Sequence, residues 1–190
     1  MKLLFATHNQ NKVAELNRLV PSYINLFSLT DINCNQEIKE TGKTLEENAK
    51  IKADFIKYKY GLDCFADDSG LEIEALNGAP GVYSARYAGE EKNNDSNIQK
   101  IWTELEKKNT SACFRSIFYA HLGSKTYCFE GRVDGNIIFK KKGKGGFGYD
   151  PIFIPVGYDK TFAELGDIIK NKISHRAKAT QSLLDTLSRL

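Results

Sequence analysis

The chain has 190 residues, 41% hydrophobic and 27% charged, with a formal net charge of +3. That size and apolar content suit one domain with a substantial core, and no apolar run has the length of a membrane span or a secretory h-region, so the expected setting is the cytoplasm. Cys34, Cys64, Cys113 and Cys128 form no Cys-x-x-Cys pair and have no histidine at zinc-ligand spacing, which argues for reduced thiols over a zinc knot or a disulfide framework.

In chain order, residues 2–6 read as a buried strand, and residues 12–20 as a helix with Val13, Leu16, Leu19 and Val20 on its apolar side. A second strand is predicted over 24–29. The clearest helix covers 44–60, with Leu45, Ala49, Ala53, Ile56 and Tyr60 in one stripe and a capping-box pair, Thr44 and Glu47, at its start. Residues 64–66 and 71–76 suggest short strands on either side of Asp67-Asp68-Ser69-Gly70, and residues 77–81 a loop. Ile98, Ile101, Trp102 and Leu105 mark another helix. Three strands, 113–122, 126–133 and 136–139, form a predicted meander, followed by a strand at 152–154, a short helix from Phe162 and a last helix from His175 to Leu190. Helices interleaved with isolated strands and a meander predict an α/β fold with a long mixed sheet flanked by helices.

Four segments carry candidate chemistry. Residues 7–12, Thr7-His8-Asn9-Gln10-Asn11-Lys12, join a strand to a helix start, where backbone N–H groups and the Lys12 ammonium converge as an anion site. In the alternative reading, Asn9 or Asn11 caps the helix and Lys12 faces solvent. Asp67 and Asp68 are adjacent carboxylates at the end of an apolar strand, a conflict that a divalent cation would relieve, with Glu40 as a second oxygen ligand. An exposed Asp-Ser-Gly turn is the other reading. Lys52 reads either as reaching the same phosphates or as a solvated helix lysine.

Residues 145–151 combine three glycines with Phe147, Tyr149 and Asp150. Such a loop holds a flat heterocycle, or else forms a hairpin plugged by aromatic rings. Lys170, Ser174, His175 and Arg176 cluster at the start of the last helix, where positive charge opposes the helix dipole unless an anion or carbonyl-rich ligand sits there. The basic run at 140–144 suits a polyphosphate, a nucleic acid or plain solvent.

Taken together, residues 7–12, Glu40-Thr41-Gly42, Glu47-Asn48-Ala49, residues 66–71, residues 78–87, residues 145–151 and Ile173-Ser174-His175-Arg176 occur in an order that resembles the inosine triphosphate pyrophosphatase family from the first strand to the last helix. His8, Ile169 and Ala177 depart from residues frequent in that family. The resemblance implies a single domain over 1–190 with two lobes around a substrate cleft, assembled as a homodimer. It also implies hydrolysis of noncanonical purine nucleoside triphosphates (ITP, dITP, XTP) to the monophosphate and pyrophosphate. Carried over by motif, Glu40 and Asp68 hold Mg²⁺, and Asp68 is the proton acceptor. Thr7, His8, Asn9, Gln10, Asn11, Lys12, Ser69, Phe147, Gly148, Tyr149, Asp150, Lys170, His175 and Arg176 hold the nucleotide. The partner is thus a small-molecule nucleotide, with no nucleic acid and no membrane. Two alternatives stand beside this: a nucleotide- or nucleic-acid-binding protein without hydrolytic activity, and a pyrophosphatase for modified pyrimidine nucleotides.

Overall fold

The computed structural model describes residues 1–190. Its elements are β1 (Lys2–Phe5), α1 (Gln10–Asn17), β2 (Asn25–Ser28), α2 (Leu45–Tyr60), β3 (Cys64–Ile73), α3 (Asn94–Leu105), β4 (Ser111–Leu122), β5 (Lys125–Ile137), β6 (Phe153–Pro155), α4 (Phe162–Ile173) and α5 (His175–Leu187). The six strands form one mixed sheet in the order β2-β1-β3-β4-β5-β6. β1 runs parallel to both β2 and β3, and β6 antiparallel to β5. The two-residue connection between β4 and β5, with Gly123 at φ 59°, turns the chain straight back on itself.

The chain divides into two compact units, the first comprising Met1–Asp68, Ser116–Gly131 and Arg176–Leu190. β1 is apolar on consecutive residues because both of its faces are covered. Leu3 and Phe5 pack with Leu16, Phe65, Phe118 and Leu183 on one side, whereas Leu4 and Ala6 pack with Ala53, Ile56, Cys64 and Ala66 on the other. The Phe5 and Phe65 rings stack with centroids 4.6 Å apart. The second unit, Ser69–Arg115 and Arg132–His175, has its own core. There Ile98, Ile101 and Leu105, one stripe of α3, meet Leu71, Ile73, Phe114, Phe153 and Phe162.

Two sequence expectations are corrected. Asp67-Asp68-Ser69-Gly70 is not a turn between two strands but the middle of β3, and the expected strands at 126–133 and 136–139 are one strand, β5. Glycine misled the reading in both places for the same reason. A Cβ on Gly70 would overlap the Gly81 carbonyl, and one on Gly135 would overlap Phe153 and Ile154 of β6, so each glycine allows a close backbone approach rather than a bend. The final helix ends at Leu187, short of the expected Leu190. No helix is long and apolar enough to cross a membrane.

Candidate active site

The first unit gathers acidic and basic groups around the Asp67-Asp68 pair. At the start of α1, the Asn9 side chain caps the helix by accepting from the N–H groups of Asn11 (3.0 Å) and Lys12 (3.3 Å), and Thr7 Oγ1 accepts from Asn9 N–H at 3.1 Å. Capping does not send Lys12 to solvent. Its ammonium lies 2.9 and 2.8 Å from the two carboxylate oxygens of Asp67. The anion that offsets a lysine at this positive helix end is therefore supplied by β3.

At the start of α2, Thr44 and Glu47 form the expected capping box. One residue further on, Asn48 is fully buried. Its Oδ1 accepts from Gly42 N–H at 2.8 Å, and its Nδ2 donates to Asp68 Oδ2 at 3.0 Å. A Cβ on Gly42 would lie 2.6 Å from Glu47 Cβ and 2.8 Å from Asn48 Oδ1, so only glycine lets the Glu40 segment press this closely on α2. Lys52, one turn beyond Asn48, is buried and donates at 2.5 Å to Glu40 Oε1 and at 2.5 Å to the Asp67 carbonyl. The solvated reading of Lys52 is thus overturned.

These contacts set the charge states. Burial alone would push the Asp67 carboxyl up, but Lys12, Arg176 and Lys52 together hold it well below the usual carboxylate range. Asp68 goes the other way: burial raises its pKa, and repulsion from Glu40 adds to the effect, outweighing Lys52 and Lys12. Burial pulls the Lys12 pKa down against the attraction of Asp67. Lys52 is raised despite its burial, because Asp68, Glu40 and Asp67 all face it.

No three His, Cys, Asp or Glu side chains converge closely enough to hold a metal by themselves. Asp68 and Glu40 nevertheless repel each other in a half-dry site, and both are hard oxygen donors. That donor set fits a divalent cation of the Mg²⁺ type, which takes one or two carboxylates and completes its shell with water and phosphate oxygens. Asp67 does not share this role, since its charge is answered by lysine and arginine.

Arg176, in the first turn of α5, is buried with its guanidinium on Glu15 of α1 and 3.5 Å from Asp67. Sequence reasoning missed Glu15 and Asn48. A signal existed for both: Glu15 sits between Val13 and Leu16 on the buried side of α1, and Asn48 and Lys52 fall at helical spacing from Leu45. Polar residues on an apolar stripe need buried partners. His8, Gln10 and Asn11 are exposed, with Gln10 Nε2 donating to Thr30 Oγ1 at 3.3 Å and His8 Nε2 3.5 Å from the Gln36 carbonyl.

In the second unit, the glycine-rich loop is built around Asp150. This buried carboxylate accepts from Phe147 N–H at 2.8 Å and from the Lys170 ammonium at 2.7 Å. The same ammonium lies 4.6 Å from the Phe147 ring centroid. Gly146 and Gly148 take φ of 72° and 62°, and a Cβ on Gly146 would strike the Asp150 carboxylate. Phe147 is half-buried, whereas Tyr149 is buried and donates to the Ser84 carbonyl at 2.7 Å. His175 stacks on Phe114 with centroids 4.9 Å apart, and Ser69 is half-buried in β3. Lys170, His175 and Arg176 therefore do not fray into solvent; two of them are held by carboxylates and one by a ring.

The sequence profile of the Ham1 family matches residues 3–186. A Flavobacterium johnsoniae protein called dITP/XTP pyrophosphatase is 54% identical over 189 residues, covering 99% of this chain and 98% of that one. A protein of the same description from Christiangramia forsetii is 52% identical over the full length of both. Among solved structures, a HAM1 protein from Coxiella burnetii superposes with a TM-score of 0.91 at 38% identity, covering 100% of each chain.

Proposed function

Because the chain belongs to the Ham1 family, we propose that it hydrolyses the noncanonical purine nucleoside triphosphates ITP, dITP and XTP to the monophosphate and pyrophosphate. The observation that carries this reading is the cluster of Glu40 and Asp68 beside two inward-turned lysines, Lys12 and Lys52. Paired carboxylates with adjacent ammonium groups suit a metal-bound polyphosphate, and the full-length relatives named dITP/XTP pyrophosphatase support the choice of substrate.

In this reading Glu40 and Asp68 hold Mg²⁺, which when bound supplies Lewis-acid neutralisation of the phosphate charge. Asp68 accepts a proton from the water that attacks the α-phosphorus. Lys12 and Lys52 donate to phosphate oxygens and offset the charge that builds on the departing pyrophosphate. Thr7 to Asn11 supply hydroxyl, amide and backbone donors to the same group, and Ser69 contacts the substrate. Phe147, Gly148, Tyr149 and Asp150 hold the base with Lys170. His175 and Arg176 read the 6-oxo group, an acceptor in hypoxanthine and xanthine where adenine presents an amino donor. Residues 1–190 act as one catalytic domain, in a homodimer in the cytoplasm.

The test is a panel of nucleoside triphosphates with Mg²⁺, with pyrophosphate resolved from orthophosphate. ITP, dITP and XTP should give monophosphate and pyrophosphate much faster than ATP or GTP. Orthophosphate as the first product, or ATP as the preferred substrate, overturns the reading.

A further inference from the structure

Asn97 lies on α3, outside every segment assigned to substrate above, and is 1% exposed. A carboxamide buried this completely must find partners for its donors and its acceptor, and all of those partners lie in one stretch of backbone. Its Nδ2 donates to the Ala85 carbonyl at 3.1 Å and to the Ser84 carbonyl at 3.4 Å, and its Oδ1 accepts from Ala88 N–H at 2.7 Å. The side chain thus fixes the tight turn over Gly81–Arg86 and the residues that follow it.

That turn has two other attachments. The Ser84 hydroxyl donates to the Gly81 carbonyl at 2.6 Å and accepts from Leu71 N–H at 2.9 Å, pinning the turn to β3 directly after Ser69-Gly70. The Ser84 carbonyl, the same one that Asn97 holds, accepts the Tyr149 hydroxyl at 2.7 Å. The glycine-rich loop is therefore held at three points: Gly145 N–H donates to the Ala163 carbonyl at 3.2 Å, Asp150 accepts from Lys170 of α4, and Tyr149 donates to a carbonyl that Asn97 also holds. With Gly146 and Gly148 at positive φ, the loop has little torsional stiffness of its own and depends on these tethers.

We infer that Asn97 is a positioning residue for base discrimination, acting through the Ser84 carbonyl and Tyr149 to fix the Phe147–Asp150 loop. The effect on discrimination rests on the proposed activity, whereas the positioning rests on the contacts alone. Asn97→Asp keeps the acceptor for Ala88 N–H but turns a second oxygen toward two carbonyls, so the Ser84 carbonyl must shift. Tyr149→Phe removes only the hydroxyl.

Two measurements test it. In the ligand-free protein, backbone amide exchange across residues 145–150 should speed up about tenfold in Asn97→Asp, as expected for loss of a tether of ordinary hydrogen-bond strength. In steady-state kinetics, the ratio of kcat/KM for ITP over GTP should fall about tenfold, through KM for ITP, with kcat within about twofold of wild type. In a Tyr149→Phe background, Asn97→Asp should add nothing further to either readout. Unchanged exchange, or effects of the two substitutions that simply add, would overturn the inference. Should Asn97→Asp fail to fold, Asn97→Ser, which withdraws the carboxamide without adding a charge, is read by the same two measurements: unchanged exchange across residues 145–150 overturns the inference. A wild-type protein that releases no pyrophosphate from ITP would sink the proposed activity instead, and the exchange measurement would still decide the positioning.

Discussion

The Lys12 ammonium sits 2.9 and 2.8 Å from the two carboxylate oxygens of Asp67, and the guanidinium of Arg176 lies 3.5 Å from the same carboxylate. Asp67 is thereby the internal counter-ion of two cations, while its neighbour Asp68 faces Lys52, Glu40 and Asn48. Two adjacent acids of one strand do different work because their side chains leave opposite faces of the sheet.

Replacing Asp67 with Asn should destabilise the fold by about 3–5 kcal/mol, since it leaves the mostly buried Lys12 ammonium without its anion and takes from Arg176 one of its two carboxylates. Urea unfolding measures the loss. The pH dependence has a defined sign: a carboxylate whose folded pKa is depressed contributes stability in full above the unfolded value of about 3.9. That contribution is lost as pH falls through the folded value. The gap between wild type and Asp67→Asn should therefore be widest near neutral pH and shrink in acid. A gap that widens on acidification would refute the assignment.

Asp68→Asn should nearly abolish turnover with the fold intact, whereas Glu40→Gln should raise the Mg²⁺ requirement and lower the rate less. Metal titrations of both variants separate the two. Near-normal activity of Asp68→Asn at saturating Mg²⁺ would place the reaction centre elsewhere.

Gly42→Ala should reproduce part of the Glu40 defect without touching a carboxylate. The added methyl collides with Glu47 and Asn48 and pushes the Glu40 segment off α2. A stability loss of about 1–3 kcal/mol is expected from overpacking, together with a raised Mg²⁺ requirement of the kind expected for Glu40→Gln. Loss of stability with an unchanged Mg²⁺ requirement would mean that the segment's placement does not set Glu40.

Glu15→Gln tests the partner of Arg176. Removing the charge that holds the guanidinium should cut kcat/KM for ITP about tenfold and for ATP much less, narrowing their ratio as Arg176→Ala should. Lys12→Ala should harm both nucleotides about equally, because a phosphate contact carries no information about the base. Equal losses for ITP and ATP in Glu15→Gln would move base reading away from Arg176.

Features set by neighbouring residues were legible in the sequence. The Thr44–Glu47 capping box, the Asn9 cap, the stripe on α3 and the glycine loop around Asp150 all follow from spacings of a few residues. The pairings that define the site span long stretches of chain: Lys12 and Asp67 are 55 residues apart, and Glu15 and Arg176 are 161 apart. No periodicity encodes such a partner. Burial of a polar side chain on an apolar stripe was the one local trace, and it marked Glu15, Asn48 and Lys52 without naming what each would meet. Gly70 and Gly135 were misread because a glycine that admits a neighbouring backbone looks, in sequence, like a glycine that turns the chain.

The most direct measurement of the central claim is hydrolysis of ITP with Mg²⁺ in H₂¹⁸O, followed by mass analysis of both products. Water attack on the α-phosphorus predicts ¹⁸O in inosine monophosphate and none in pyrophosphate. Label in pyrophosphate, or release of labelled orthophosphate, would contradict it.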